Sequence, residues 1–285
     1  MNLLEGMNKA IDYIEENLGT KIDYDKLSRI AGCSQWYLQR MFMSITDVSI
    51  SEYIRRRRLT LAAFELQNTD ISVLDLALKY GYMSVDAFTR AFKAIHSVTP
   101  SKARKNGVVL KSYGPITFVL SIKGVKAMNY SIEKKGKMKI VGVKKWFSAV
   151  NGEQTKEIPK MWDEFPKEKM DFIKSFNKDN EIVGVCADMY NDGFDYWVGA
   201  ITDKECPEEL CEMEIPESTW AVFEVIGPIR PLPNTMQDLF GRIFSEWFPN
   251  SGYKHAEIPE IEYYSNGDCM SENYKSEIWI PVEKL

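Results

Sequence analysis

The feature that most constrains the fold is an internal repeat in the first third of the chain. Residues 27–42 and 76–92 share one pattern, in which an apolar stretch leads to a glycine and then to a second apolar stretch. The second copy has one additional residue in its turn, and the matched pairs are Leu27/Leu76, Gly32/Gly81, Leu38/Phe88, Arg40/Arg90 and Phe42/Phe92. Apolar residues at helical spacing on both sides of a glycine predict a helix-turn-helix in each copy.

The rest of the chain up to residue 105 also has helical periodicity. An apolar stripe runs from Leu4 to Leu18, and a short helix through Leu27 is expected to end at Gly32. Further helices are predicted over Gln35–Ile45, Ile50–Gln67, Val73–Tyr80 and Val85–Ile95, with N-caps at Asp23, Ser34, Ser49, Ser72 and Ser84. Residues 1–107 are therefore expected to form an all-α domain with two helix-turn-helix units.

The second helix of each unit, here called a reader helix, has a polar outer face. In DNA-binding helix-turn-helix proteins this helix lies in the major groove, where arginine and glutamine can bond to base edges. The candidate DNA-binding residues are Trp36, Gln39 and Arg40 on the first reader helix and Asp86, Thr89 and Arg90 on the second. Arg55–Arg58 form a run of four, of which one or two are expected to contact phosphate.

These segments resemble the DNA-binding domain of the AraC/XylS family. The resemblance covers about residues 5–105, and it depends on residues 36–42, 51–59 and 86–104. It is nearest to the MarA/SoxS/Rob branch, and it implies that Trp36, Gln39, Arg40 and Arg90 face DNA. Asp47 and Ser97 stand where the family usually has glycine, and Ala103 stands where it usually has tyrosine.

Composition separates two regions of different charge. Residues 1–107 contain 15 basic and 12 acidic residues, which leaves 21 basic and 29 acidic residues for the remainder. The chain has no signal-peptide pattern and no long uncharged apolar stretch, so a cytoplasmic protein without a membrane partner is expected. Five scattered cysteines and two histidines give no metal-binding pattern, so we expect free thiols, no metal, no cofactor and no catalytic residues.

Residues 108–136 are predicted to be a connector, with one candidate strand at Thr117–Ile122. Residues 137–285 are predicted to be an α+β domain, because the order strand, helix, strand, strand occurs twice. The first repeat is predicted at Met138–Trp146, Ile158–Phe176, Glu181–Ala187 and Phe194–Ala200, and the second at Thr219–Ile226, Thr235–Phe248, Glu260–Tyr264 and Lys275–Val282. Two such repeats indicate a pseudo-symmetric domain with a cleft between its halves.

The last predicted strand carries a carboxylate beside an aromatic ring. Strand alternation places Glu277 and Trp279 on one face and Ile278 and Ile280 on the other. Glu277 could be a structural residue that bonds to a buried tyrosine or arginine. It could also be the counter-charge for a cationic ligand that stacks on aromatic rings.

The same region resembles the GyrI-like effector-binding domain. The resemblance depends on Met161-Trp162, on residues 222–227 and 261–264, and on residues 277–282. In that family a glutamate matching Glu277 lies in a pocket that often binds lipophilic cations. The resemblance and the repeat add Tyr263, Trp162, Trp220 and Trp197 as candidate walls of a ligand site with Glu277 and Trp279.

Together these features predict a DNA-binding transcription regulator, of the activator type, that senses a small amphipathic molecule, with a cation as one candidate. Its expected partners are double-stranded DNA and a small-molecule effector, with RNA polymerase as a further candidate. One alternative is a hydrolase of small electrophiles that uses Glu277 and Tyr263. Another is a regulator without a ligand, whose cleft binds a protein.

Overall fold

A computed structural model describes residues 3–105, 107–119, 127–150, 153–190, 193–229 and 235–285. The chain divides into two compact units. The first contains Met1–Leu38 and Ile50–Leu120, and the second contains Gln39–Ser49 and Ser121–Leu285. Among the described residues no helix is both long and apolar enough to cross a membrane.

The N-terminal part of the chain is helical, and the predicted pair of helix-turn-helix units is confirmed. Helix α2 and the first reader helix α3 form the first helix-turn-helix, while α5 and the second reader helix α6 form the second helix-turn-helix. The helices are α1 (Leu3–Glu16), α2 (Tyr24–Ala31), α3 (Gln35–Thr46), α4 (Ile50–Asn68), α5 (Val73–Lys79), α6 (Val85–His96) and α7 (Pro100–Ala103).

Side-chain caps explain where several of these helices begin. Asp23 accepts a hydrogen bond from the backbone N–H of Lys26, and Ser84 accepts one from Ala87. Such caps satisfy backbone donors that have no partner inside the helix. Helix α2 ends at Gly32, whose φ of 73° is in the left-handed region that glycine adopts without steric cost.

The second helix-turn-helix packs on the long helix α4. Phe88, Phe92 and Ile95 of α6 are buried in one apolar cluster with Leu76 of α5 and Leu59 of α4. Each fully buried side chain of this size contributes about 1.5–3 kcal/mol through the hydrophobic effect. The inward face of α6 is thus fixed, and its other face carries the candidate DNA-binding residues.

The arginine run is bound by the protein itself. Arg55 and Arg56 pair with Glu52, at 2.6 and 2.7 Å. Arg57 pairs with Glu15 at 2.7 Å, and Arg58 donates to the backbone oxygens of Leu18 and Thr20. Each guanidinium group thus already has a protein partner, and the expected phosphate contact by one or two of them stays a prediction.

The C-terminal region combines helices with an antiparallel nine-stranded sheet, so the predicted α+β fold is confirmed. The sheet order is β1-β6-β9-β8-β3-β4-β2-β5, and β7 also pairs with β9. The strands are β1 (Tyr130–Lys135), β2 (Met138–Ser148), β3 (Ile182–Tyr190), β4 (Gly193–Ile201), β5 (Cys211–Ile215), β6 (Ser218–Ile226), β7 (Tyr253–His255), β8 (Glu260–Tyr264) and β9 (Lys275–Lys284). The trios β6-β9-β8 and β2-β4-β3 are arranged alike around the β3–β8 pair, which is the pseudo-symmetry that the sequence predicts.

The helices of this region lie against one side of the sheet, here called the helix face. They are α8 (Gln154–Asp163), α9 (Lys167–Lys174), α10 (Thr235–Arg242), a π-helical segment (Ile243–Trp247) and α11 (Phe248–Ser251). Trp162 of α8 lies 5.3 Å from the ring of Tyr264, and Trp247 lies 5.1 Å from that of Phe223. The opposite side carries Trp197, Trp220 and Trp279 in one buried cluster, and it is here called the tryptophan face.

Several elements differ from their prediction. The helix predicted at Ile158–Phe176 is two helices, because Pro166 precedes α9 and cannot continue the backbone hydrogen bonds of α8. Strands β1, β5 and β7 are not predicted, and β1 lies within the expected connector. In the candidate strand Thr117–Ile122, residues 117–119 are not in a strand, and residues 120–122 lie outside the described part. None of the five cysteines, all of which lie in the described part of the chain, is in a disulfide.

The two departures from the family's glycines occur where the backbone has positive φ. Asp47 follows α3 with a φ of 58°, and Ser97 ends α6 with a φ of 64°. A side chain in this left-handed region is strained by about 1–2 kcal/mol relative to glycine. Glycine in turn loses about 0.5–1 kcal/mol of conformational entropy on folding.

We expect Ser97→Gly to raise the free energy of unfolding by about 0.5–1 kcal/mol, because relief of strain exceeds the entropy cost. Urea unfolding followed by circular dichroism measures the change. The matched control is Ala94→Gly, an exposed position inside the same helix, which should lower stability by about 1 kcal/mol. A Ser97→Gly protein that is no more stable than wild type would show that Ser97 is not strained.

Candidate functional site

The second reader helix presents its candidate residues to solvent. In α6 the buried positions are Phe88, Phe92, Ile95 and His96, whereas Asp86 and Arg90 are exposed. Thr89 is half-buried between them. The structure therefore places Asp86, Thr89 and Arg90 on one accessible face, next to exposed Lys93.

The first reader helix has different surroundings. Its N-cap Ser34 accepts a hydrogen bond from the backbone N–H of Tyr37, as predicted, and Trp36 and Gln39 are half-buried. Arg40 and Met43, which helical periodicity places on the outer face, are only 8% and 4% exposed. From Gln39 onward the helix belongs to the second unit of the chain.

Arg40 lies in a site made by the C-terminal sheet and α10. Its Nε is 2.5 Å from Oε2 of Glu260 on β8, and its Cζ is 5.1 Å from the ring centre of Phe240. The other oxygen of Glu260 is 3.2 Å from Nε2 of His255. Burial alone would raise the pKa of Glu260, but Arg40 and His255 outweigh it, so this pKa is below its ordinary value.

A second carboxylate, Glu262, lies on the same face of β8. Its Oε2 accepts hydrogen bonds from the hydroxyls of Tyr196 at 2.6 Å and Tyr264 at 3.0 Å. Burial and the adjacent Glu262 raise the pKa of both tyrosines well above the usual value. The indole of Trp162 donates to Tyr196 at 3.2 Å, so Trp162 belongs to this network on the helix face.

The tryptophan face brings the other candidate ligand residues together. The rings of Tyr263 and Trp279 are stacked at 4.8 Å with 13° between their planes, and Trp220 meets Trp279 edge-on at 6.3 Å. The Nζ of Lys135 lies 4.1 Å from the ring centre of Trp279 and also pairs with Glu133 at 2.7 Å. The Nζ of Lys144 lies 5.5 Å from the ring centre of Trp197, so two cations of the chain already use this aromatic surface.

Glu277 lies directly between two strand neighbours. It is paired with Tyr263 of β8 on one side and with Glu224 of β6 on the other, and it accepts a hydrogen bond of 2.5 Å from Trp279. The hydroxyl of Tyr263 donates to Glu181. Carboxylates that face each other across a strand pair repel one another. This edge of the tryptophan face therefore has an excess of negative charge beside stacked rings.

The tryptophan face also offers hydrogen-bond donors and space. The indole Nε1 atoms of Trp197 and Trp220 are buried without a hydrogen-bond partner among the described residues. A cavity of about 510 Å³ adjoins Trp197, and Trp197 is the one candidate ligand residue among its described lining residues. Its other walls include the apolar Met213 and Ile215 and the charged Lys144 and Glu212. This volume is within the range of about 300–1,000 Å³ that small-molecule sites occupy.

The structure brings five of the six candidate ligand residues together on the tryptophan face. Those five are Glu277, Trp279, Tyr263, Trp220 and Trp197, whereas Trp162 is on the helix face. The prediction missed Glu224 and Lys135. Alternation along the predicted strand Thr219–Ile226 could have found Glu224, while Lys135 lies in β1, which was not predicted. In the described segments no group of three or more ligating side chains could hold a metal ion.

Comparison with known proteins gives two family matches. Residues 131–282, more than half of the chain, match the family described as integron-associated effector binding protein, and residues 27–106 match a helix-turn-helix domain family. The structure of SAV2435 bound to tetraphenylphosphonium is 21% identical in sequence and has a TM-score of 0.48. The matched region covers 55% of this chain and 94% of the SAV2435 chain.

Curated relatives match the helical domain. The chain is 47% identical over 94 residues to the transposon Tn10 TetD protein of Escherichia coli, which is 33% of this chain and 68% of that protein. It is 42% identical over 94 residues to the regulatory protein SoxS of Salmonella typhimurium, and the match covers 33% of this chain and 88% of SoxS. It is 39% identical over 98 residues to the multiple antibiotic resistance protein MarA of the same organism, and the match covers 34% of this chain and 77% of MarA.

The chain therefore belongs to the integron-associated, GyrI-like family of effector-binding proteins, and it is a DNA-binding transcription regulator in which an AraC-type helix-turn-helix domain precedes that effector-binding domain.

Proposed function

We propose that the tryptophan face binds a small amphipathic cation, and that this binding changes how the helix-turn-helix domain binds DNA. The observation that carries the proposal is that Glu277 faces Glu224 across the strand pair, beside the stacked rings of Tyr263 and Trp279. A ligand that prefers one of two conformations of the chain would shift the population toward it. We also propose RNA polymerase as a further partner.

The charges and rings of the tryptophan face suit one cation. A positive charge between Glu277 and Glu224 would turn a repulsive pair into two attractive ones. The stacked rings can hold the apolar body of the ligand and interact with its charge, which compensates for the hydration that the charge loses. The indole donors of Trp197 and Trp220, which have no hydrogen-bond partner in the described part of the chain, add sites for a ligand oxygen or nitrogen acceptor.

Lys135 is the residue that such a ligand would replace. Its ammonium group lies over the ring of Trp279 and is held there by Glu133. A cation that stacks on the same ring must displace it. Lys135 therefore competes with the ligand, and the cost of its displacement lowers the ligand's affinity.

The contacts of the candidate catalytic pair favour binding over hydrolysis. Glu277 is held by the indole of Trp279, and the hydroxyl of Tyr263 is held by Glu181. Burial and Glu181 also raise the pKa of Tyr263. Incubation with small electrophiles, followed by mass spectrometry of the products, separates the two functions, because a sensor returns its ligand unchanged.

On the DNA side, we propose that Arg90, Thr89 and Asp86 of α6 and Trp36, Gln39 and Arg40 of α3 contact DNA. Arg90 is exposed, and an arginine that bonds to both acceptor atoms of a guanine discriminates between bases by about 1–3 kcal/mol.

Arg90→Ala should weaken binding by about 1–3 kcal/mol to the duplex that the wild-type chain selects from random-sequence DNA. Fluorescence anisotropy at fixed salt measures this loss. The stability of the protein should change by no more than about 0.5 kcal/mol, because Arg90 is on the surface. The control is Lys169→Ala, which removes one exposed positive charge from α9. Equal losses in both variants would mean that only net charge matters.

Glu277→Gln should weaken the binding of tetraphenylphosphonium to the full chain by at least about tenfold, or 1.4 kcal/mol. Glutamine keeps the size of the side chain and an acceptor for Trp279, and it removes the repulsion from Glu224, so the variant should fold. Calorimetry measures the affinity. The control is Glu283→Gln, an exposed position on the same strand that pairs with Lys254. Unchanged affinity in Glu277→Gln would assign Glu277 to structure instead.

Lys135→Met should have the opposite effect, with tetraphenylphosphonium binding roughly threefold tighter. Methionine keeps the apolar contact with Trp279 and removes the competing ammonium group, whose interaction with a ring contributes about 0.5–1 kcal/mol. The same calorimetric titration measures the change. Weaker binding by this variant would show that Lys135 supports the ligand site rather than competing for it.

A further inference from the structure

The geometry of Arg40 points to a function for the effector-binding domain that is separate from the ligand site. Arg40 matches Arg90 in the sequence repeat, yet the two side chains have opposite surroundings. Arg90 is exposed on α6, whereas Arg40 is buried against Glu260 and Phe240. A guanidinium group with a carboxylate at 2.5 Å and a ring at 5.1 Å has the partners that a protein uses to bind a cation.

The neighbouring residue Met43 extends this contact. It is 4% exposed and belongs to the apolar cluster that contains Phe147, Phe194 and Tyr196 of the sheet. Arg40 and Met43 are three positions apart on α3, so they lie on the same side of the helix. One side of the first reader helix is thus covered by an ion pair and an apolar contact together.

We propose that Glu260 is the receptor of an autoinhibitory latch, in which the effector-binding domain captures Arg40 as an internal cationic ligand. While Arg40 is bound to Glu260, its guanidinium group has no access to a base edge or a phosphate. DNA binding by the first reader helix therefore requires Arg40 to leave Glu260. When Arg40 leaves Glu260, the first reader helix can bind DNA, and when Arg40 returns to Glu260, it cannot.

The strength of the latch follows from where the pair lies. The side chain of Glu260 is 1% exposed and that of Arg40 is 9% exposed, so water screens their attraction very little. Leaving either partner buried and alone is costly, so the pair separates only when Arg40 gains another anion, such as a DNA phosphate. The apparent affinity for DNA is lowered by the fraction of chains in which the pair is closed.

The latch does not depend on the ligand proposed above. Glu260 points to the helix face, whereas Glu277 and Trp279 are on the tryptophan face. The latch depends only on α3 being a DNA-reading helix, as the family match indicates. An experiment without any ligand can therefore test it, and its failure would leave the cation proposal untouched.

The decisive variant is Glu260→Gln, which keeps the shape of the side chain and removes the charge that holds Arg40. We expect the full-length variant to bind the duplex selected by the wild-type chain about tenfold more tightly. The matched control is Glu283→Gln, which removes the same charge from an exposed ion pair with Lys254. Arg40→Ala is not a test, because it removes both the latch and the predicted base contact.

Labelling of arginines with phenylglyoxal provides a second measurement, which uses the wild-type chain without DNA. Peptide mass spectrometry should show that Arg40 is modified at least about tenfold more slowly than exposed Arg90, because a buried guanidinium group in an ion pair is inaccessible. In Glu260→Gln the two rates should approach each other. This measurement on wild type can overturn the latch even where Glu260→Gln does not fold.

Two results would overturn the latch. One is a folded Glu260→Gln protein whose affinity for the duplex equals that of Glu283→Gln. The other is a wild-type chain in which phenylglyoxal modifies Arg40 as quickly as Arg90. Tighter DNA binding by Glu260→Gln together with slow labelling of Arg40 in wild type would establish it.

Discussion

Hydrogen bonding between β3 and β8 joins the two halves of the effector-binding domain into one sheet. In this register Val183 lies opposite Tyr263, and Cys186 lies opposite Glu260. Side chains alternate between the two faces of a strand, so β8 sends Glu260 and Glu262 to the helix face and Tyr263 to the tryptophan face. A shift of one residue would exchange these faces, which would move the acidic residues onto the tryptophan side. The proposed ligand site and the Arg40 site therefore depend on the same pairing.

The carboxylates on the two faces of the sheet differ in their hydrogen-bond and charge partners. Glu260 is almost fully buried and has two cationic or polar partners, Arg40 and His255. Glu262 is satisfied by two tyrosine hydroxyls. Glu277 instead faces another carboxylate and has one indole donor. A buried carboxylate whose hydrogen bonds are all made fixes the structure around it, whereas an excess of negative charge favours the binding of a cationic ligand.

Much of this architecture could be predicted from the sequence, because the local signals are strong. Capping residues and helical stripes located the helices, and alternation located β8 and β9 and placed Glu277 beside Trp279. The missed strands have weaker signals: β1 is largely polar, β5 alternates apolar residues with glutamates but has only five residues, and β7 has three residues. Repeat and resemblance could not assign Trp162 to a face, since that depends on which side of the sheet α8 packs. Helical periodicity likewise put Arg40 on a polar face, but it carries no information about a distant strand that covers that face.

The difference between Arg40 and Arg90 also bears on how the protein would search a chromosome. With Arg40 held by Glu260, the chain still presents Asp86, Arg90 and Lys93 on α6. A protein that touches DNA through one short helix makes few phosphate contacts, so it dissociates quickly and samples many sites. Engagement of the first reader helix would then convert a brief encounter into a long-lived complex. In the proposed latch, burial of a single arginine would thus separate the search for a target from residence on it.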